Sequence, residues 1–242
     1  MVKTEFEIEF HLKNDSDEGY PVIIVAAGSS SRMKGVDKLF ASLCGIPVLV
    51  RTLRAFENCS NISEITVVTA EDKLADVKKL AERYAVGKLK NIIMGGSCRE
   101  ASVKNGVELY KGKSDKVLIH DGARPLVSAD VIKNVVLALK QHDSVTCAVP
   151  IKDTVKITDE SGKVAKTPNR NNMVAVQTPQ GVNTDIFLNE CSRSDISKFT
   201  DDTSVMEAAG VETVTVNGDY RNIKITTQED LIVAEAYLET EL

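Results

Sequence analysis

Small residues followed by two basic side chains form the first segment of this sequence that could carry chemistry. Ala26, Ala27 and Gly28 end an apolar run, and Arg32 and Lys38 follow shortly afterwards. Small residues let backbone N–H groups approach a phosphate closely, and the two cations would balance the charge of a polyphosphate. The segment therefore predicts a phosphate-binding loop. The same residues could also form only a tight strand-to-helix turn with cations on the surface.

The sequence of this loop argues against two large classes of nucleotide-binding protein. It contains neither the GxGxxG pattern of dinucleotide-binding folds nor the GxxxxGK[ST] pattern of P-loop NTPases. An acidic residue placed to bind a ribose is also missing. An NAD-dependent oxidoreductase is one alternative function, and these absences count against it.

A second segment has glycines where another strand is expected to end. Gly95, Gly96 and Ser97 come first, and Arg99 and Ser102 would lie on the first turn of the next helix. Two glycines permit close approach of the backbone to a ligand, here to a nucleotide base. The alternative is a plain turn between a strand and a helix.

The third segment places a carboxylate and a guanidinium three residues apart, as Asp121 and Arg124. Mg²⁺ usually binds through one or two carboxylates together with substrate phosphates, so Asp121 is a candidate metal ligand. The alternative is a local ion pair between the two side chains that stabilises the loop. His120 is predicted to be structural rather than a general base, because the three scattered histidines offer it no obvious partner.

Further polar segments occur later in the chain, and each alone could be a turn or a solvated charge. Together they predict a pocket at the carboxyl ends of parallel strands, where ligands of open α/β sheets bind. These segments are Asp153 with Thr154, Arg170, residues 177–180 (which include Thr178), residues 200–202 (which begin with Thr200) and residues 222–224 (which end with Lys224).

Apolar runs that alternate with helical patterns indicate how these segments are positioned. Residues 22–27 form a continuous apolar run, which is typical of a strand buried on both faces. Repeated alternation of strands and helices predicts an α/β fold, with a mostly parallel sheet covered by helices on both faces. Further strands are predicted at residues 65–69, 89–94, 116–119, 145–149 and 211–216. Helices are predicted at residues 47–56, 72–84, 99–110, 128–141, 184–191 and 202–209, and after Thr227. Ser128 is the predicted N-cap of its helix, and Thr227 with Asp230 three residues later resembles a capping box.

Two regions depart from this alternation of strands and helices. Residues 154–176 show short apolar–polar alternations around turn-prone residues, and we predict a β-arm that projects from the sheet. Residues 1–20 alternate apolar residues with glutamates, and we predict an appendage, either an edge strand or a mobile tail. The expected domain organisation is therefore an appendage at residues 1–20 and one domain at residues 21–242.

Composition narrows the class of protein further. The chain has 242 residues, 43% of them hydrophobic, and a formal net charge of −5, which argues against a disordered chain and a general nucleic-acid binder. No apolar run is long enough to predict a membrane span, and the first residues do not resemble a signal peptide. Five scattered cysteines without a CxxC motif predict reduced thiols in a cytoplasmic protein.

Taken together, the segments resemble the 2-C-methyl-D-erythritol 4-phosphate cytidylyltransferases of the non-mevalonate isoprenoid pathway. The resemblance runs from about Pro21 to the C terminus. Its motifs, in the family's order, are AAGSSSRM with Lys38, GGSCREASV, HDGARP, PIKDT, QTPQ, TDDTSVMEAAG and NIKIT.

This resemblance implies a Rossmann-like nucleotidyltransferase fold and a homodimer that uses CTP and Mg²⁺ or another divalent cation. The implied reaction transfers CMP from CTP to the sugar-alcohol phosphate and releases pyrophosphate, with no nucleic acid or membrane as partner. Arg32 and Lys38 are the implied catalytic residues, and Asp121 is the implied metal ligand. The implied CTP-binding residues are Ala26, Ala27, Gly28, Gly96, Ser97 and Ser102. The implied residues for the sugar phosphate are Thr154, Arg170, Thr178, Thr200 and Lys224, with Thr154 and Arg170 on an arm that reaches the partner's site.

Three positions depart from the family's usual sequence. Family members often have Gly at the position of Ser30, Asp at that of Ser97, and PKQ or NKQ around the lysine, where this chain has Asp37, Lys38 and Leu39. Two alternative functions remain open. One is a ribitol 5-phosphate cytidylyltransferase, which shares the CTP-binding half, and the other is a non-catalytic paralogue that binds a nucleotide.

Overall fold

A seven-stranded β-sheet forms the centre of the structure, a computed structural model that describes residues 19–28 and 37–240. The strands are β1 (Tyr20–Ala26), β2 (Ser42–Leu43), β3 (Ile46–Pro47), β4 (Ile62–Thr69), β5 (Leu89–Met94), β6 (Lys116–Asp121), β7 (Ser144–Pro150), β8 (Ile157–Thr158), β9 (Val164–Lys166), β10 (Val174–Asn183) and β11 (Val214–Asn217). The central sheet has the order β11-β7-β10-β6-β1-β4-β5. β2 pairs with β3, and β8 pairs with β9.

Helices cover both faces of this sheet, as the sequence predicts. They are α1 (Val48–Glu57), α2 (Leu74–Arg83), α3 (Arg99–Glu108), α4 (Ala129–Leu139), α5 (Thr184–Arg193), α6 (Asp202–Ala208) and α7 (Gln228–Glu239). Side chains of α1, α2, α4 and α7 belong to one buried cluster, and those of α3, α5 and α6 belong to another. Alternate residues of β1 serve the two clusters, with Ile24 in the first and Ile23 in the second. The α/β fold with a mostly parallel sheet is confirmed.

Local signals set the starts of several helices. The Ser128 side chain accepts a hydrogen bond from the backbone of Val131, so the predicted cap of α4 is present. Thr227 and Asp230 form a reciprocal capping box at the start of α7, also as predicted. Such capping motifs can be predicted from the sequence because the residues that form them lie within one helical turn of each other.

One central strand differs from the expectation. β10 is antiparallel to both of its neighbours, β6 and β7. Val174, Ala175 and Val176, which we predicted to lie in the arm, pair with the end of β7 instead. The observed arm is the small β8–β9 hairpin. Residues 177–180 include a proline between polar residues, a pattern that does not favour a strand. This part of β10 is recognised as a strand only from its pairing with distant residues.

Some predictions fall outside the described residues. The appendage at residues 1–20 lies outside them except for Gly19 and Tyr20, and so do Ser30 and Arg32. The Tyr20 N–H donates to the Asn61 carbonyl at 3.0 Å, so this tyrosine already belongs to the sheet. Within residues 19–28 and 37–240, no helix is long and apolar enough to cross a membrane.

Candidate active site

A cavity of about 360 Å³ opens at the carboxyl ends of the parallel strands. The ends of β1 and β6 and the loop after β5 meet there, which is the place where open α/β sheets bind ligands. The lining residues are Val25–Gly28, Lys38, Leu39, Gly96–Arg99, Ser102, Asp121, Ala123 and Lys224. The structure thus brings seven of the eight residues predicted for CTP and catalysis to one cavity, and the eighth, Arg32, lies outside the described residues.

Lys38 lies on a turn that the hydrophobic core holds in place. The Asp37 carboxylate accepts from the Leu39 N–H at 3.1 Å, and the Leu39 carbonyl accepts from the Leu49 N–H at 2.9 Å. Leu39 is 4% exposed and packs in the core while it also lines the cavity. The departure from the family's usual Gln at this position therefore contributes core packing beside the lysine.

Hydrogen bonds from Ser102 shape the glycine-containing loop. Its Oγ accepts from the Gly96 N–H at 3.0 Å and donates to the Cys98 carbonyl at 2.8 Å. A Cβ on Gly96 would lie 2.4 Å from the Ala101 Cβ, so only glycine fits there. Because the Ser102 hydroxyl bonds to the loop itself, its contribution to a ligand site is to hold the loop.

Three basic side chains surround the carboxylate of Asp121. Lys224 Nζ lies 2.9 Å from Oδ2, Arg124 Nε lies 3.3 Å from Oδ2, and Arg99 Nε lies 3.4 Å from Oδ1. Burial opposes ionisation, but the charges of Arg99, Lys224 and Arg124 outweigh it and hold the pKa of Asp121 well below its usual range. The local Asp121–Arg124 ion pair considered as an alternative is present, but it is one part of a larger cluster.

Arg99 makes the strongest ion pair of the cluster, and the sequence did not reveal it. Its Nη1 and Nη2 atoms donate to the two carboxylate oxygens of Asp202, each at 2.8 Å. The partners are 103 positions apart in the chain. One signal was available, because an arginine in the first turn of a helix opposes the helix dipole and needs a local reason.

A second cavity of about 500 Å³ adjoins the first. It shares Arg99, Asp121 and Lys224 with the first cavity, so these residues lie between the two. Its other lining residues are Arg124, Val176–Thr178, Gln180, Thr200, Asp201, Ser204 and Glu207. Thr178, Thr200 and Lys224, three of the residues predicted for the sugar phosphate, therefore come together here.

The side chain of His120 lies beneath this cluster and is fully buried. Its Nε2 lies 3.3 Å from the Arg124 carbonyl and must donate, so Nδ1 accepts from the Thr178 hydroxyl at 3.0 Å. The same hydroxyl accepts from the Asp121 N–H at 3.0 Å. Burial lowers the pKa of His120 to about 3, so the ring is neutral and structural, in agreement with the sequence-based prediction.

Two of the predicted sugar-phosphate residues do not reach either cavity of this chain. Thr154 and Arg170 are exposed on the segment that contains the arm. Arg170 Nη1 donates to the Lys152 carbonyl at 2.8 Å. The single chain therefore does not bring Arg170 together with Lys38.

A mostly parallel sheet with a glycine-containing loop, basic side chains and the buried carboxylate of Asp121 at its carboxyl edge is the arrangement of a Rossmann-like nucleotidyltransferase. The sequence profile of the IspD family, 2-C-methyl-D-erythritol 4-phosphate cytidylyltransferase, matches residues 21–240. The chain belongs to this family, and the resemblance inferred from the motifs is confirmed.

Individual relatives agree with this assignment. A 2-C-methyl-D-erythritol 4-phosphate cytidylyltransferase of Clostridium botulinum is 42% identical over 221 residues, 90% of this chain and 96% of the relative. One from Bacillus mycoides is 40% identical over 222 residues, 90% of this chain and 97% of the relative. The crystal structure of 4-diphosphocytidyl-2C-methyl-D-erythritol synthase from Anaerococcus prevotii superposes with a TM-score of 0.81 at 34% identity, covering 92% of this chain and 97% of that one.

Proposed function

We propose that the protein transfers CMP from CTP to 2-C-methyl-D-erythritol 4-phosphate and releases pyrophosphate. The observation that carries the proposal is the pair of adjoining cavities that share Arg99, Asp121 and Lys224. A transferase for two substrates needs two sites with a common boundary, where the reacting groups meet. The first cavity would hold CTP, and the second would hold the sugar phosphate.

Nucleotide binding is assigned to the first cavity. Ala26, Ala27 and Gly28 would approach the phosphates with their backbone, and Lys38, together with Arg32, would neutralise the triphosphate. The loop that contains Gly96 and Ser97, held by Ser102, would contact cytosine and ribose. Ser97 is exposed and its backbone remains available, so the change from the usual Asp does not remove main-chain contacts.

The acceptor is assigned to the second cavity. Lys224 would bind its phosphate, and Thr178 and Thr200 would line the sugar-alcohol part. The Thr178 hydroxyl already joins His120 to the backbone of Asp121, so its contribution is to fix the wall of the cavity.

The chemistry requires charge neutralisation rather than proton transfer. A phosphate oxygen of the acceptor forms a bond to the α-phosphorus of CTP, and the bond from this phosphorus to the pyrophosphate oxygen breaks. The nucleophile is already anionic, so no general base is needed. Positioning and preorganised positive charge supply the rate enhancement. Lys38 is suited to this role because it lines the nucleotide cavity.

Asp121 is the carboxylate that would hold Mg²⁺. Its Oδ2 contacts Arg124 and Lys224, whereas Oδ1 lies 3.4 Å from Arg99. Residues 19–28 and 37–240 contain no group of three or more side chains able to hold a metal alone. A single carboxylate fits Mg²⁺, because this ion takes its other ligands from phosphates and water. When bound, it would neutralise charge on the nucleotide phosphates.

Pyrophosphate release measured with matched pairs of substrates tests the proposed function. We expect turnover with CTP, Mg²⁺ and 2-C-methyl-D-erythritol 4-phosphate, and little with ATP or GTP. Replacing the acceptor by ribitol 5-phosphate tests the related enzyme activity. Preference for ribitol 5-phosphate, or for a purine nucleotide, would contradict the proposal. CTP binding by calorimetry without turnover on either acceptor would identify a non-catalytic paralogue.

We further propose a homodimer in which the arm completes the partner's acceptor site. Ile157 and Val164 on the β8–β9 hairpin are 49% and 57% exposed, and all residues of both strands are exposed. An isolated two-stranded hairpin is marginal in water, so a second subunit is the simplest cover. Thr154 and Arg170 would then reach the partner's cavity.

Mixing two inactive variants tests this dimer. We expect an Arg170→Ala chain and a Lys38→Ala chain to restore about a quarter of the wild-type activity after random exchange, because one site of each heterodimer keeps both residues. Each variant incubated with itself is the control, and two affinity tags verify subunit exchange. Verified heterodimers without restored activity would show that Arg170 serves its own subunit or none.

The cellular setting is also part of the proposal. All five cysteines are free thiols, which supports the cytoplasmic location predicted from their number and spacing. Small-molecule substrates and a second copy of the chain are the proposed partners. The expectation that nucleic acid and membranes are not partners stays a prediction.

A further inference from the structure

One arginine contacts both sides of the boundary between the two cavities. Arg99 is the first residue of α3 and directly follows the loop assigned to the nucleotide. Its guanidinium pairs with Asp202, the first residue of α6, which directly follows the segment assigned to the acceptor. The reaction as described above assigns no role to this pair.

The pair is buried, and burying two charges destabilises the folded state unless the two groups are well oriented. The side chain of Asp202 is 3% exposed, and that of Arg99 is 26% exposed. Burial raises the pKa of Asp202, and the two parallel hydrogen bonds from Arg99 oppose this effect. A desolvated ion pair often adds little net stability. A pair of this kind in a cleft is therefore better explained by the positions that it fixes for neighbouring side chains.

A rigid anchor holds Asp202 in place. The Gln180 Oε1 accepts from the N–H groups of Asp202 and Thr203 at 2.9 and 3.2 Å. Its Nε2 donates to the Asp201 carboxylate at 2.9 Å and to Thr146 Oγ1 at 3.0 Å. One amide on β10 therefore fixes the start of α6 to β7, in the middle of the sheet.

Arg99 connects Asp121 to this fixed end of α6, because it contacts both Asp202 and Asp121. Lys224 and Arg124 both contact Oδ2, at 2.9 and 3.3 Å, and would rotate the carboxylate toward themselves. Within the described part of the chain, the ion pair on the opposite oxygen, Oδ1, is the one with Arg99 at 3.4 Å. Contacts on both carboxylate oxygens therefore set the rotation of the Asp121 side chain, and Arg99 provides the contact on Oδ1.

We propose that Arg99, held by Asp202, is a positioning residue that fixes Asp121 at the boundary between the nucleotide and acceptor cavities. The proposal deepens the proposed function and rests on it. Arg99 uses both Nη atoms on Asp202, so it acts through Asp121 and through the loop before α3 rather than on the reacting phosphates. A misplacement of about 1 Å in such a site lowers the rate by about 10²-fold.

Five variants separate positioning from simple stabilisation: Arg99→Gln, Asp202→Asn, the double variant, Arg99→Lys and Asp143→Asn. Arg99→Gln and Asp202→Asn each leave a buried charge without its partner, so we expect the melting temperature to fall by about 5 °C or more. The double variant removes both charges, so its melting temperature should recover toward the wild-type value. Its kcat should stay about 10²-fold low, because Lys224 and Arg124 then act on Asp121 without the opposing contact of Arg99 at Oδ1.

Asp143→Asn is the control for loss of an ion pair away from the cleft. Asp143 lies 3.4 Å from Lys116 and just before β7, at the end of the sheet opposite the cavities. We expect its kcat to equal that of the wild-type protein. Arg99→Lys keeps the buried charge but lacks the planar fork, so we expect a folded protein with reduced kcat and with raised KM for both substrates.

The outcomes are distinct. A folded double variant, or Arg99→Lys, with wild-type kcat and both KM values unchanged would overturn the proposal and leave the pair a purely structural one. A wild-type protein that transfers no CMP would contradict the proposed function instead. A wild-type protein that transfers CMP, alongside a stable double variant that does so poorly, would support both.

Discussion

Replacing Lys38 by alanine is expected to lower kcat by about 10²–10³-fold, the usual effect of removing one preorganised donor from a developing charge. The lysine lines the nucleotide cavity on a turn that the buried Leu39 anchors. Charge increases at the α-phosphoryl group as the bond to pyrophosphate breaks, so the loss should fall on kcat more than on the KM for CTP. Steady-state kinetics with both substrates varied measures this difference.

Lys73 provides a matched control beside the same turn. Its Nζ lies 3.7 Å from Asp37 and 5.4 Å from the centre of the Phe40 ring, and it does not line the cavity. Lys73→Ala should therefore leave kcat unchanged. Equal kcat values for Lys38→Ala and the wild-type protein would show that Lys38 is only a surface cation.

Replacing Asp121 by asparagine is expected to reduce both stability and activity. The sequence alone posed these as alternatives, a metal ligand or a structural ion pair. Three cations around this carboxylate give it a structural role, and the proposed binding of Mg²⁺ adds a second. Removing one partner of a buried pair costs about 3 kcal/mol, at the lower end of the usual range because Arg99 keeps Asp202. That loss corresponds to a melting temperature lower by about 6–12 °C.

Thermal unfolding and a Mg²⁺ titration of turnover measure these two effects separately. Asp121→Asn should need more Mg²⁺ for half-maximal activity and should have a lower maximal rate. Asp143→Asn, which loses a carboxylate at the other end of the sheet, should show neither change. A normal Mg²⁺ titration in a destabilised Asp121→Asn protein would leave this aspartate with a structural role alone.

Much of the fold could be predicted because its signals are local. The apolar run before Gly28 and the caps at Ser128 and Thr227 depend on neighbours within a few residues. The glycine-containing loops also fall at the strand ends where we expected them. The polar segments at the strand ends also predicted a pocket there, because the carboxyl ends of parallel strands meet at one edge of the sheet.

The sequence could not reveal what depends on distant partners. β10 continues through residues 177–180 because β6 and β7 flank it, since this middle run by itself favours a turn. The Arg99–Asp202 pair joins two motifs that were each recognised separately. Thr178, predicted as a residue of the sugar-phosphate site, lines the second cavity, but the contacts of its hydroxyl with His120 and Asp121 join residues 58 and 57 positions apart and could not be predicted.

The reversed direction of β10 makes the segment that carries Thr154 and Arg170 replaceable. Because β10 runs opposite to β7, the segment between Pro150 and Val174 leaves and re-enters the sheet at paired positions on the same edge. The two ends are already joined by the sheet, and the entropy of closing such a loop grows only slowly with its length. Evolution or an engineer can therefore lengthen, shorten or exchange this segment while the nucleotide loops on β1, β5 and β6 keep their geometry. The residues that line both cavities lie outside this segment, so the contacts that we propose for Thr154 and Arg170 can diverge while the cavities are kept.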